Sequence, residues 1–230
     1  MSYLVTGTDT GVGKTLVSCA LLHGLAAQGK HVAGFKPVAA GVDADGMDDD
    51  AKALLAASNI PLNYELVNPY CLREAIAPHI AARRENVRIE LPRIVAAYRE
   101  LAAQVDIVIV EGAGGFLVPL NDTQNTADLA KMLDIPVVLV VGIRLGCLNH
   151  AMLTIEAINT RGLSLAGWVA NELDNKMSVL QENIAALRER IAAPLLGIVP
   201  YMAQPDAKMV ASYLKIEILG QTLRHSPVRG

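Results

Sequence analysis

Nine residues near the start of the chain, Gly-Thr-Asp-Thr-Gly-Val-Gly-Lys-Thr from Gly7 to Thr15, constrain its fold more than any other stretch. They follow the apolar run 3–5 and precede a helical pattern that begins at Leu16. A glycine-rich turn that ends in Gly-Lys-Thr, between a strand and a helix, is typical of a phosphate-binding loop. Glycines let consecutive N–H groups point inward, and the helix start adds partial positive charge. The stretch therefore predicts a site for a nucleotide's phosphates.

The chemistry of the loop rests on its last residues. Lys14 is long enough to reach the outer phosphates, and the Thr15 hydroxyl can bind Mg²⁺. The usual spacing places a glycine at position 8, where this chain has Thr8; the leading glycine is Gly7 instead. The alternative interpretation is a tight strand-to-helix turn with an incidental lysine.

Apolar strands and helices alternate along the rest of the chain. Buried-strand patterns cover 31–35, 106–111, 136–141, 165–170 and 195–199, and helical patterns cover 91–104, 126–133, 148–160 and 177–191. Such alternation indicates an α/β fold with a mostly parallel sheet and helices on both faces. We expect a single domain over 1–218 and a polar tail over 219–230 that frays. Residues 59–80, which contain three prolines, give no clear element.

Composition excludes several classes of function. A net charge of −3 without a basic run argues against nucleic-acid binding, and the most apolar run, 135–143, is far shorter than the roughly 20 residues that cross a bilayer. The three cysteines are widely spaced, which indicates free thiols in a reducing compartment. The first strand begins almost at once and leaves no room for a signal peptide. We expect a soluble cytoplasmic protein.

Ligands of parallel sheets sit at the carboxyl ends of the strands, where two charged residues stand out. Lys36 follows the second strand; it is either a solvated lysine or a second cation for the transferred phosphoryl group, and the neighbouring phosphate loop favours the latter. Glu111 ends a very apolar strand, where a carboxylate is expensive to bury unless it meets a cation. A Mg²⁺-directed acid is typical of this position, and the alternative is a solvent-facing glutamate.

Two stretches remain ambiguous from the residues alone. Asp48, Asp49 and Asp50 all precede a helical pattern, and the sequence does not say which would reach a metal. The segment 142–150 runs from a strand into a helix, whose free N–H groups can hold an anion such as a carboxylate. The alternative there is an ordinary helix entry with Asn149 as its cap.

The chain as a whole resembles a known family, the dethiobiotin synthetases, which close the ureido ring in biotin synthesis. The blocks that carry the resemblance span nearly the whole chain: 5–15, 34–39, 68–70, 78–80, 110–115, 145–154, 167–171 and 194–197. The block 145–154 and the Lys-Pro-Val segment at Lys36 are far more specific than the phosphate loop, which many ATPases share. The resemblance implies a phosphate-loop NTPase fold, ATP with Mg²⁺, and the substrates 7,8-diaminopelargonate and CO₂.

The resemblance also implies roles for individual residues. Thr15, Asp50 and Glu111 would hold Mg²⁺, and Thr10, Lys14 and Lys36 would be catalytic around the carbamate and the transferred phosphoryl group. ATP would contact a larger set: Gly11, Val12, Gly13, Lys14, Thr15, Leu16, Asp50, Glu111, Gly112, Ala113, Gly114, Asn171, Glu172, Pro200, Tyr201 and Met202.

The substrate would contact Lys36, Ala40 and a helix start contributed by the partner subunit, Cys147, Leu148 and Asn149, so the implied active site belongs to a homodimer. Members of the family can carry a serine at the position of Ala40, so a substrate-contacting hydroxyl is absent here.

Three other functions compete with this interpretation. A partner-switching ATPase of the ParA and MinD type has an extra lysine early in its phosphate loop, where this chain has Asp9. An amidoligase of cobalamin synthesis carries a glutaminase domain, for which the chain is too short. An interaction-only protein would leave Lys36 and Glu111 unexplained. On the enzymatic interpretation, Lys36→Gln is expected to preserve folding and nucleotide binding while nearly abolishing turnover.

Overall fold

Parallel strands form the centre of the molecule in the computed structural model, which describes residues 1–222. The strands are β1 (Ser2–Gly7), β2 (Val32–Phe35), β3 (Val38–Ala40), β4 (Tyr70–Leu72), β5 (Ile107–Glu111), β6 (Val137–Ile143), β7 (Leu165–Glu172) and β8 (Leu195–Val199). The main sheet has six strands in the order β2-β5-β1-β6-β7-β8, and every neighbouring pair is parallel. All six carboxyl ends therefore lie along one edge.

Helices connect the strands and cover the sheet. They are α1 (Lys14–Ala27), α2 (Asp49–Ala57), α3 (Tyr64–Val67), α4 (Pro78–Arg84), α5 (Leu91–Ala102), α6 (Thr126–Leu133), α7 (Cys147–Thr160), α8 (Leu180–Arg190), α9 (Ala207–Ala211) and α10 (Glu217–Thr222). Within residues 1–222, no helix is both long enough and apolar enough to span a membrane. The expected tail 219–230 overlaps α10 at its start; residues 223–230 lie outside the described residues, so the tail stays a prediction.

Successive side chains of each strand point to opposite faces, and each face has its own apolar core. Leu4 of β1 packs in one cluster with Ile94 of α5 and Leu129 of α6. Its neighbour Val5 packs in a second cluster with Val17 and Leu21 of α1. The strands are apolar throughout because both faces are covered, which confirms the predicted α/β class with helices on both sides of a parallel sheet.

Local signals fixed several element ends. Helix α6 covers the predicted range 126–133, because Asn125 and Asp128 form a reciprocal capping box at its start. Strand β8 also has its predicted bounds. Helix α1 ends at Ala27, and Gly29 follows with φ 78°, a left-handed conformation that favours glycine.

Three parts of the fold differ from the expectation. Strands β6 and β7 each continue two residues past their predicted ends, to Ile143 and Glu172. Gly142 fits inside β6 because the phosphate loop packs on it: a Cβ there would lie 2.8 Å from a methyl of Val12. Residues 38–40, where no strand was predicted, pair in parallel with 70–72 as a second, two-stranded sheet. Two three-residue strands separated by residues 41–69 carry too little periodicity to be visible in the sequence.

Candidate active site

The carboxyl edge of the main sheet brings the predicted residues together around one cleft. The phosphate loop follows β1, Lys36 follows β2, and Glu111 ends β5. A cleft of about 780 Å³ opens beside them. The predicted site residues that line it are Thr10, Gly11, Gly13, Lys14, Thr15, Lys36, Ala40, Asp50, Ala113 and Gly114. The predicted convergence of these strand ends is therefore observed.

The phosphate loop has the backbone that an anion site requires. Gly11 and Gly13 have φ of 73° and 90°, in the left-handed region that side chains disfavour. Gly13 is also the N-cap of α1 and offers no side chain to cap it, so the first N–H groups of the helix stay available. Lys14 is buried and its Nζ donates to the carbonyl of Asp9 at 3.1 Å. Burial lowers the pKa of the Lys14 ammonium.

A cluster of two carboxylates, one ammonium and one hydroxyl lies next to the loop. The Lys36 Nζ donates to Glu111 Oε1 at 2.6 Å and to Asp50 Oδ2 at 2.8 Å. The Thr15 hydroxyl lies 2.7 Å from Asp50 Oδ1 and 2.9 Å from Glu111 Oε1. Lys36 is 3% exposed and Glu111 is 0% exposed, so neither is the solvated residue of the alternative interpretation.

The charges of this cluster support one another. Burial alone would lower the pKa of Lys36, but the carboxylates of Glu111 and Asp50 outweigh it and hold that pKa above its ordinary value. Burial would raise the pKa of Asp50, yet the Lys36 charge and hydrogen bonds from Lys36 and Thr15 leave it lowered. Both groups are therefore charged at neutral pH.

The three adjacent aspartates have three different tasks. Asp48 caps α2 by accepting a hydrogen bond from the Ala51 N–H at 2.9 Å. Asp49 faces solvent and pairs with Lys52 at 3.0 Å. Only Asp50 of the three contacts Thr15 and Lys36. Asp50 is therefore the aspartate that the fold places beside the phosphate loop.

The oxygens of this cluster fit a hard divalent cation. The single proton of the Thr15 hydroxyl cannot serve both neighbouring carboxylates at once, and Glu111 Oε2 is buried with no hydrogen-bond partner. Across residues 1–222, no three His, Cys, Asp or Glu side chains gather into a complete metal cage. An incomplete set of oxygen ligands suits Mg²⁺, which completes its shell with water and phosphate oxygens.

At the far end of the loop, β7 and β8 deliver the residues expected to contact a base. Asn171 lies beside the phosphate loop, and its Nδ2 donates to the Val12 carbonyl at 2.8 Å. The Glu172 carboxylate accepts a hydrogen bond from the Tyr201 N–H at 3.2 Å, which ties the 200–202 turn to β7. Tyr201 is exposed, and it lies with Pro200 and Met202 just past β8.

The remaining predicted residues lie apart from this cleft. Cys147, Leu148 and Asn149 form the first turn of α7 and are not among the residues lining the cleft of their own chain. Asn149 is not the helix cap: Gly146 holds that position with φ 93° and no side-chain hydrogen bond. Gly112 borders a small neighbouring cavity rather than the cleft.

An ion pair that was not predicted from the sequence holds the phosphate loop in place. Arg144, just past β6, pairs with the Asp9 carboxylate. A hydrogen bond from the Thr10 N–H and the Arg144 charge lower the pKa of Asp9. No local signal in the sequence joins residues that lie 135 positions apart.

Comparison with known proteins identifies close relatives. Residues 1–209 match the family described as an AAA domain. The chain is 54% identical over 220 residues to the ATP-dependent dethiobiotin synthetase BioD of Nitrosospira multiformis, covering 96% of this chain and 97% of the relative. It is 52% identical to the protein of the same name from Aromatoleum aromaticum, covering 94% and 97%.

Solved structures with the same fold are more distant. The MinC:MinD cell division complex of Aquifex aeolicus aligns with a TM-score of 0.60 at 17% identity, covering 100% of this chain and 98% of that one. A ParA family ATPase from Chlorobium tepidum aligns with a TM-score of 0.57 at 15% identity, covering 98% and 99%. At these identities the likeness shows the fold alone, which is that of phosphate-loop NTPases.

Proposed function

The chain belongs to the ATP-dependent dethiobiotin synthetase family, and from that membership we propose that it converts 7,8-diaminopelargonate, CO₂ and ATP into dethiobiotin, ADP and phosphate. The observation that carries the proposal is the buried cluster of Lys36, Glu111 and Asp50 beside the phosphate loop. Its ammonium places a positive charge where two anionic reactants have to meet, and its two carboxylates provide oxygens that could hold Mg²⁺ there.

The proposed reaction has three steps whose atoms balance. One substrate amine adds to CO₂ and releases a proton, which gives a carbamate. A carbamate oxygen attacks the γ-phosphorus of ATP, the bond to the bridging oxygen of ADP breaks, and a carbamic-phosphoric anhydride forms. The second amine attacks the carbonyl carbon and loses a proton, the C–O bond breaks, and phosphate leaves as the ring closes.

The second step sets the demands on the site. Two unit charges about 4 Å apart repel by about 4 kcal/mol at an effective dielectric constant near 20. We assign Lys14 to neutralising the outer phosphates, and Lys36, which follows β2 two strands away from β1, lines the same cleft. Thr10, earlier in the phosphate loop, also lines the cleft, and we assign its hydroxyl to a hydrogen bond with the carbamate. Positioning and charge neutralisation account for the catalysis without a protein nucleophile.

Mg²⁺, held by Thr15, Asp50 and Glu111, would supply further positive charge to the phosphates. The same carboxylates hold the Lys36 ammonium in this structure. Lys36 is therefore oriented by groups that also define the metal site. Ala40 lines the cleft without a hydroxyl, so the substrate contact available to a serine at this position is absent.

We further propose that the enzyme is a homodimer in the cytoplasm. Leu145, which precedes α7, is 96% exposed, an unusual position for a large apolar residue that suits a subunit contact. The adjacent Cys147, Leu148 and Asn149 lie away from their own cleft, and on this proposal they bind the carboxylate of a substrate held by the partner subunit. The three free cysteines support a reducing compartment.

A partner-switching ATPase is not favoured. Its structural relatives share at most the fold with this chain, and the position of their extra lysine is occupied by Asp9, whose carboxylate is paired with Arg144. The two relatives compared above, at 54% and 52% identity, are both named ATP-dependent dethiobiotin synthetase.

The test is an assay of purified protein with 7,8-diaminopelargonate, bicarbonate and MgATP, in which each component is omitted in turn. We expect ADP formation only with all three, and a product with the mass of dethiobiotin. ADP formation that ignores the diamine but rises with added DNA or protein would support the ATPase instead.

A further inference from the structure

Asn171 makes a hydrogen bond to the phosphate loop that recognition of a base would not require. Its Nδ2 is committed to the Val12 carbonyl, inside the phosphate loop, at 2.8 Å. Only the NH₂ group of an asparagine can donate to a carbonyl, so this contact fixes the orientation of the amide. Asn171 is 6% exposed and sits in a strand paired on both sides, opposite Gly142 and Val199. The donor is therefore held rigidly.

The consequence for the loop follows from the geometry of a peptide. The bond between Val12 and Gly13 is trans, as are all peptide bonds among residues 1–222, so its C=O and N–H point in opposite directions. Holding the Val12 carbonyl against β7 turns the Gly13 N–H away from β7. That N–H makes no hydrogen bond to any of the described residues. It is free to bind an anion.

Glycine at position 13 makes this arrangement both necessary and fragile. A Cβ on Gly13 would overlap the Asn171 amide, so the close approach requires glycine. Glycine also lets a peptide plane rotate with little steric penalty. Without an anchor, the Val12–Gly13 peptide would sample orientations in which a carbonyl oxygen, rather than an N–H, faces the phosphates.

We propose that Asn171 is a positioning residue for the phosphate loop: by holding the Val12 carbonyl, it aims the Gly13 N–H at the phosphates of the nucleotide. This role is separate from any contact with the base. It rests on the nucleotide-binding part of the proposed function and not on the carboxylation chemistry. Because the apparent affinity falls with the fraction of molecules in the competent orientation, losing the anchor weakens phosphate binding itself.

Inorganic tripolyphosphate with Mg²⁺ separates the two roles, because it has phosphates but no base. We expect Asn171→Leu, which keeps the branching at Cγ and removes the donor, to bind Mg-tripolyphosphate about tenfold more weakly by calorimetry, the loss typical of a buried carbonyl left without a partner. Asn183→Leu is the matched control, because the Asn183 Nδ2 also donates to a backbone carbonyl, that of Val179 at 2.8 Å, far from the cleft. It should bind the probe like the wild type.

The inference is overturned if Asn171→Leu binds Mg-tripolyphosphate like the wild type and weakens only for ATP, since Asn171 would then be a base contact alone. If Asn171→Leu does not fold, NMR of the wild-type protein tests the orientation of the Gly13 N–H instead. Addition of Mg-tripolyphosphate should move the Gly13 amide proton downfield, and an unmoved Gly13 resonance would refute the role. Binding is measured without turnover, so a failure of ring closure leaves this result interpretable.

Discussion

Replacement of Lys36 by glutamine tests the buried cluster through stability. The sequence suggested that Lys36→Gln would leave folding intact, but the structure changes that expectation. Lys36 is 3% exposed and its Nζ lies 2.6 Å from a carboxylate oxygen of Glu111, which is 0% exposed. The substitution removes the cation and leaves a buried carboxylate without its charge partner.

The size of the effect follows from the burial of each partner. Removing one member of a buried ion pair typically costs about 3–5 kcal/mol. The contact to Asp50 adds little, because the Asp50 side chain is 44% exposed and screened by solvent. We expect the free energy of unfolding to fall by about 3 kcal/mol, which lowers Tm by about 6–12 °C for a chain of this length.

Urea denaturation in the presence of EDTA measures this loss without interference from metal. Lys52→Gln is the control, because Lys52 also pairs with several carboxylates, Asp43, Asp45 and Asp49, but at the surface. It should cost less than about 1 kcal/mol. The double variant Lys36→Gln/Glu111→Gln should recover part of the loss, since neither charge remains. A cost for Lys36→Gln no larger than that of Lys52→Gln would refute the buried pair.

Two further predictions concern packing and reactivity. Gly197→Ala should lower the free energy of unfolding by about 2–3 kcal/mol in the same urea titration, because the new Cβ overlaps the backbone carbonyl of Tyr213. The control, Gly24→Ala, should stay within about 1 kcal/mol of wild type, because its Cβ meets only the flexible end of a side chain. Iodoacetamide at pH 8 should label half-buried Cys71 well before Cys19, because burial raises the pKa of the Cys19 thiol to about 12 and leaves a thiolate fraction of roughly 10⁻⁴. Peptide mass spectrometry measures the order of labelling, and faster labelling of Cys19 would contradict the packing around α1.

The sequence predicted those features that are encoded locally. The glycine spacing and the final Lys-Thr were sufficient for the phosphate loop, and apolar runs were sufficient for the six strands of the main sheet. Lys36 and Glu111 were found because each ends a strand, and the carboxyl ends of parallel strands share an edge.

Features set by distant contacts were not accessible in the same way. The roles of Asp48, Asp49 and Asp50 depend on how α2 meets Thr15, which adjacency in the sequence does not encode. The anchor from Asn171 to Val12 joins residues 159 positions apart. Its glycine partner was visible in the sequence, but the reason for that glycine was not.

The measurement that tests the central claim most directly follows an oxygen atom. The cluster around Lys36 is proposed to bring a carbamate oxygen onto the γ-phosphorus of ATP, and ring closure then releases that oxygen with phosphate. With ¹⁸O-labelled bicarbonate in ordinary water and a short reaction time, we predict one ¹⁸O atom in the phosphate released by the wild type. Phosphate that carries no label while ADP accumulates would show that water, and not the carbamate, attacks ATP.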